Sequence, residues 1–265
     1  MPRVTTVSNH KGGTGKTNVA VQLAAALARA GRKVLVVDLD PQGNASRRLG
    51  LAIDESCVTM TEVILAAGQA NGAGVGEQAV RRSGWDAPEG AAIDVLPSRL
   101  DLIAREAEAS QLGSVRRLRT ALAGWIDRYD VVLIDTRPDV GHLVQLALAV
   151  STDMLLVVKP EYDSLKGAIT IAEFAAEHAA DLTNPGLRVS GVVVTQRKAT
   201  AEQDFQLTST EAAFGELLYQ TVIPDWTRFA EADGAAAPVS AWTDERGRQT
   251  TAIYDALCAE YLRKG

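Results

Sequence analysis

Residues 9–18 read NHKGGTGKTN, a short run dense in glycine, lysine and hydroxyl side chains. Such a run suits the holding of phosphate groups. Gly12, Gly13 and Gly15, with Thr14 between them, let backbone N–H groups turn inward, and the start of a following helix adds partial positive charge. Lys16 is spaced to contact the β- and γ-phosphates of a nucleotide, and the Thr17 hydroxyl to ligate Mg²⁺. The general pattern is G-x-x-x-x-G-K-[ST]. Its end is met by Gly15, Lys16 and Thr17, but its opening glycine is replaced by His10, and a second lysine, Lys11, follows.

A phosphate loop needs carboxylates nearby to manage Mg²⁺ and water. Two stretches offer them. KVLVVDLDPQGN ends in Asp38 and Asp40, which share a face because side chains alternate along an extended chain. YDVVLIDTRPDVG ends in Asp135 after four apolar residues, the position of a metal-handling acid at a strand end. Open α/β sheets bind ligands at the carboxyl ends of their strands, so these acids and the loop are expected to converge.

The elements that must position them are legible as apolar runs at 4–8, 33–38, 93–97, 131–135, 154–158 and 187–195. Longer stretches at 18–31 and 164–182 carry helical spacing or composition, and Gly31 sits where a helix closes. Short, nearly continuous apolar strands alternating with helices predict an α/β fold: a single doubly wound, mostly parallel sheet with helices on both faces. The Gly/Ala-rich segment 66–77 reads as a surface excursion, so one domain is expected across 1–265. With 46% hydrophobic residues the chain can bury a sizeable core, and its net charge of −6 excludes a global basic field. Any contact with nucleic acid must therefore be a local patch. Cys57 and Cys258 lie far apart and make a poor disulfide framework. No signal peptide or apolar span is apparent, and a cytoplasmic protein is expected.

The segment K-G-G-T-G-K-T resembles the deviant phosphate loop of the ParA/MinD ATPases, and further motifs extend the likeness to ParA over nearly the whole chain. They are DLDPQGNAS, IDVLPSRLDL, KPEYDSLKGA and the closing TVIPDWTRFAEADGAAAPVSAW with its terminal helix. The resemblance implies ATP and Mg²⁺ as cofactors. It implies that Lys11 reaches across a dimer interface to the partner's nucleotide, making an ATP-dependent homodimer with two nucleotides sandwiched inside. Asp40 then orients the attacking water in the first switch, and the segment from Asp135 opens the second. Lys11, Lys16 and Asp40 form the expected catalytic set. Residues 11–18 and Pro224 form the expected cofactor site, with Asn18 donating to the α-phosphate, and Thr17 and Asp135 hold the metal.

The likeness further implies non-specific DNA binding through Arg197, Lys198 and Arg228, nucleoid association, and stimulation by a ParB-like centromere-binding protein. Three departures stand out. Arg137 replaces a usual proline, Asn18 a common threonine, and Asp225 an arginine in the region that touches DNA in relatives. The tail TTAIYDALCAEYLRKG has Ile253, Leu257 and Tyr261 on one face but little positive charge, so it is expected to pack on the core and not on a membrane. A positioning ATPase for a protein cargo is the alternative of the same chemistry. A metabolic phosphate-loop enzyme such as an amide ligase is the alternative of another class.

Overall fold

A computed structural model describes residues 1–264. One sheet of eight strands runs through the molecule. In chain order its strands are β1 (Arg3–Ser8), β2 (Val34–Leu39), β3 (Arg81–Arg82), β4 (Ile93–Leu96), β5 (Val131–Thr136), β6 (Asp153–Val158), β7 (Arg188–Arg197) and β8 (Leu218–Pro224). Their spatial order is β3-β4-β2-β5-β1-β6-β7-β8, and only the two-residue β3 pairs antiparallel. Strands β2, β5 and β6 are buried along their entire length. That is why they read as unbroken apolar runs: both faces are covered, and alternation has nothing to separate.

The two faces nonetheless sort by period two. Val34 and Val36 pack into one core cluster while Leu35 and Val37 pack into another. The first cluster gathers α1 (Lys16–Arg29), α2 (Asn44–Arg48), α8 (Thr227–Ala235) and α9 (Glu245–Arg263). The opposite face carries α3 (Met60–Ala67), α4 (Arg117–Leu122), α5 (His142–Val150) and α6 (Tyr162–Glu177), and α7 (Ala201–Phe214) precedes β8. The doubly wound, mostly parallel architecture expected from the sequence is the one found. Strand β8 and the short β3, which carry weaker apolar runs, were not expected.

Gly31 adopts φ +78° and its N–H bonds to Ala28 O, closing α1 in the left-handed conformation a side chain resists. Tyr254, Leu257 and Tyr261 are buried, and the Tyr261 hydroxyl lies 2.6 Å from Thr5 Oγ1 of β1. The terminal helix is therefore part of the core. Among the described residues no helix is long and apolar enough to cross a membrane.

Strand β1 is flanked by β5 on one side and β6 on the other: the chain leaves β1 towards β2, returns to β5, and then crosses β1 to run outward through β6, β7 and β8. That reversal leaves a crevice at the carboxyl end of β1, and residues 9–15 emerge there.

Candidate nucleotide site

Both ends of the loop are anchored. The Asn9 amide donates to Val157 O at 2.8 Å and to Ser164 O at 2.9 Å, while its Oδ1 accepts the Lys11 N–H at 2.7 Å. This ties the loop's start to β6 and α6. Helix α6 approaches so closely that a Cβ at Gly167 would lie 2.5 Å from Asn9 Oδ1. On the other side, Gly13 O accepts from Gln196 Nε2 at 2.9 Å and Thr14 O from Thr195 Oγ1 at 2.6 Å. The N–H and C=O of a trans peptide point opposite ways, so these bonds turn the Thr14 and Gly15 N–H groups away from β7. Gly13 and Gly15 have φ of +76° and +88°, which L side chains rarely adopt.

The two lysines part company here. Lys16 is buried and donates to Lys11 O at 3.1 Å. Burial lowers its pKa, while Asp135, Asp40 and Asp139 oppose the shift. Lys11 is exposed, and its Nζ lies outside the pocket, 3.3 Å from Asp163 on α6.

The acids divide in the same way. Asp38 and Asp135 sit side by side in register on β2 and β5. Asp38 accepts from the Ser46 N–H at 2.8 Å and the Ser46 hydroxyl at 2.7 Å, holding α2 to the sheet. Burial pushes its pKa up to about 6. Asp135 is fully buried, and only the Thr17 hydroxyl approaches its carboxyl, short of a regular hydrogen bond. Burial, and then the neighbouring Asp38, push it up to about 8. Asp40 stands at the pocket wall, accepting only the nearby Gln42 N–H at 3.0 Å.

The pocket holds about 410 Å³ and runs from the glycine loop to Pro224, Trp226, Phe229 and Asp233. Thr17, Asn18, Asp40, Thr136 and Pro138 line its phosphate end, and Asp135 lies just beyond the lining. Asn18 is held within the fold. Its amide donates to Asp233 at 3.3 Å and its oxygen accepts from the Tyr254 hydroxyl. Arg48 Nη2 meets Asp233 at 2.9 Å, bridging α2 to α8 across the pocket.

The residues expected to form the loop and its acids are thus brought together, with Pro224 on the same pocket. Thr195, Gln196, Arg48, Trp226, Phe229 and Asp233 were not expected. Thr195 and Gln196 follow directly on an apolar run, a signal that was available. Trp226, Phe229 and Asp233 lie in the TVIPDWTRFAEAD stretch just after Pro224, and Arg48 comes from α2 with no local signal.

The three expected DNA contacts do not make an open basic patch. Arg197 is paired with Asp204, and Lys198 Nζ lies 3.0 Å from Asp225. Arg228 is clamped by Glu231 at 2.7 Å and Asp244 at 2.6 Å, with only 12% of its side chain exposed.

This sheet with its glycine loop at the switch point defines a phosphate-loop nucleotide-binding protein. Residues 2–189 match a family described as an AAA domain. The chromosome-partitioning ATPase Soj of Thermus thermophilus is 36% identical over 85% of this chain and 82% of its own length. The chromosome partitioning protein ParA of Caulobacter vibrioides is 32% identical over 97% of this chain and 89% of its own. A Mycobacterium smegmatis structure named cobyrinic acid a,c-diamide synthase, with bound ADP and magnesium, superposes with TM-score 0.79 at 27% identity. It covers 99% of this chain and 95% of that one. The chain belongs to the ParA family of phosphate-loop ATPases.

Proposed function

We propose that the chain is an ATP-dependent partition or positioning ATPase that works as a nucleotide-sandwich dimer. The observation that carries this is the opposed orientation of the two lysines. Lys16 is buried within the loop, whereas Lys11 projects from its outer side, where it is of no use to the nucleotide of its own subunit. The residues fit an ATP–Mg²⁺ group. The loop glycines turn amides inward, Lys16 brings a desolvated cation, and the buried Asp135 carboxyl, whose pKa burial raises to about 8, gains a partner for its ionised form when a cation binds. Thr17 and Asp135 would hold the metal, which when bound neutralises charge on the β- and γ-phosphates.

The reaction is phosphoryl transfer to water, governed by positioning and charge stabilisation. Lys16 and the loop amides orient the phosphates, and Asp40 orients the attacking water. The dimer then holds DNA without sequence preference through Arg197, Lys198 and Arg228, and a ParB-like partner stimulates hydrolysis and release. The pairing of Arg197, Lys198 and Arg228 with acids favours a second reading, a positioning ATPase whose cargo is a protein. Turnover of ATP with no added amide donor or acid acceptor would set aside the amide-ligase chemistry that the Mycobacterium smegmatis protein's name suggests.

Light scattering on sizing-column fractions with ADP, with ATP and with neither tests the dimer. The wild type is expected to dimerise only with ATP. Lys11→Ala is expected to keep ATP affinity within about tenfold, or 1.4 kcal/mol, yet stay monomeric. A variant that dimerises as the wild type does would sink the proposal.

A further inference from the structure

The end of β5 and the turn that follows it bring Thr136 and Pro138 to the pocket wall. The turn also rests against the phosphate loop, because a Cβ placed on Gly12 would meet Pro138 Cγ at 3.7 Å. Arg137, between those two residues, does not face the nucleotide. Its Nε lies 2.5 Å from Asp139 and its Nη1 3.3 Å from Glu106.

Glu106 belongs to the segment Leu100–Ser110, a run of 3-10 turns far from β5 in sequence. Its Oε2 accepts the His142 N–H at 2.7 Å and its Oε1 the Leu143 N–H at 3.3 Å. Asp139 Oδ1 takes the Gly141 N–H at 3.0 Å. The first N–H groups of a helix lack partners within it, and the residue before α5 is Gly141, which has no side chain to cap them. Glu106 supplies the cap from another part of the chain. A Cβ at Gly141 would stand 2.8 Å from Glu106 Oε2, so the absent side chain is what admits the carboxylate.

We propose that Glu106 is a positioning residue for nucleotide hydrolysis: it pins the 136–141 turn at both ends, through Arg137 on one side and the start of α5 on the other. The proposal rests on the ATPase reading above. Glu106 and Arg137 are each only 26% exposed, so their charge-assisted contacts are shielded from the screening that weakens surface pairs. Releasing Glu106 frees the turn that carries Thr136 and Pro138 while leaving Lys16, Thr17 and Asp40 in place. The consequence is a loss of turnover without a loss of nucleotide.

The test uses the full chain with Glu106→Gln, Arg137→Gln, the double variant and Arg137→Lys. Glutamine at position 106 removes the charge and leaves one oxygen where His142 and Leu143 N–H now use two, so one of them loses its acceptor. Each single glutamine variant is expected to lower kcat roughly tenfold or more, the scale of a misplaced catalytic group. ATP affinity by calorimetry is expected to hold within about twofold, or about 0.4 kcal/mol. The double variant is expected to be no worse than the poorer single, because both substitutions break the same ion pair, and Arg137→Lys is expected to recover part of the rate. Hydrogen exchange at the amides of residues 142 and 143 is expected to quicken in Glu106→Gln, with or without ATP. Additive losses in the double variant, or wild-type exchange at those amides, would overturn the proposal. So would a rate loss that merely follows a fall in melting temperature. A wild type that binds ATP and never hydrolyses it would sink the ATPase reading instead, and the exchange measurement would then decide the pin alone.

Discussion

The molecule has two concentrations of charge that differ in one respect. Around the phosphate loop, Lys16 and Asp135 are buried without a close ion pair. Asp135 is approached only by the Thr17 hydroxyl, and Lys16 donates to a single backbone oxygen. Around the carboxyl ends of β7 and β8, Arg197, Lys198 and Arg228 each already sit on an acid. Burying an unpaired charge is costly, so a fold keeps one only where a ligand supplies the missing partner. The phosphate-loop side is therefore a site that needs a ligand in order to be electrostatically complete. The cation cluster is complete without one, and a DNA phosphate would have to compete with carboxylates already in place.

The sharpest way to break the comparison is to remove the buried cation. Lys16→Ala is expected to weaken ATP binding by roughly a hundredfold or more, the scale of losing one partner of a buried charged contact. Near-normal affinity by calorimetry would show that the uncompensated side is not the nucleotide site.

Next in size is Asp40→Ala. The wall carboxylate makes no contact that holds the loop, so the variant is expected to bind ATP and dimerise while hydrolysing roughly a hundredfold more slowly. Phosphate release at the wild-type rate would remove Asp40 from the chemistry.

A third measurement probes the energetic cost of the unpartnered acid. The Asp135 carboxyl has its pKa raised to about 8 in the folded chain, against about 3.9 when unfolded. The folded state therefore binds the extra proton over that window. Its contribution to stability is fully present below about pH 4 and fades as pH rises towards 8. With a chelator present, the wild type is expected to melt lower at pH 8 than at pH 6. Asp135→Asn should flatten that dependence and melt a few degrees higher at pH 8. If the two melt alike at pH 8, Asp135 is not an uncompensated charge.

The smallest effect is expected at the completed cluster. Replacing Arg197 and Lys198 with glutamate should weaken DNA binding alike for all sequences. It should also lower the slope of log affinity against log salt by roughly 0.9 for each phosphate that is no longer neutralised. Asp225→Arg should raise affinity by releasing Lys198 from its acid. Gel shifts with ATP at low salt that detect no binding in any of these would favour a protein cargo.

Much of the phosphate end was legible in the sequence because its signals are local. The spacing of Gly12, Gly13, Gly15, Lys16 and Thr17 is set within one loop, and a strand-end acid such as Asp135 follows directly from the apolar run before it. The doubly wound fold was legible for the same reason, since strand and helix periods are properties of short windows. The C-terminal helix could be placed on the core by its composition alone. Tertiary structure decided what depends on partners far along the chain. It made Asp38 a strut for Ser46 and left Asp40 at the wall, although the two lie on one strand-end pattern. It buried Lys16 and turned Lys11 outward. It joined Arg48 to Asp233 on the pocket wall, although the two stand far apart in sequence. It also paired Arg228 with Asp244, and set Glu106 at the head of α5 beside Arg137. A side chain's charge is written in the sequence, but whether that charge meets water, an opposite charge or nothing depends on which distant segments the sheet brings beside it.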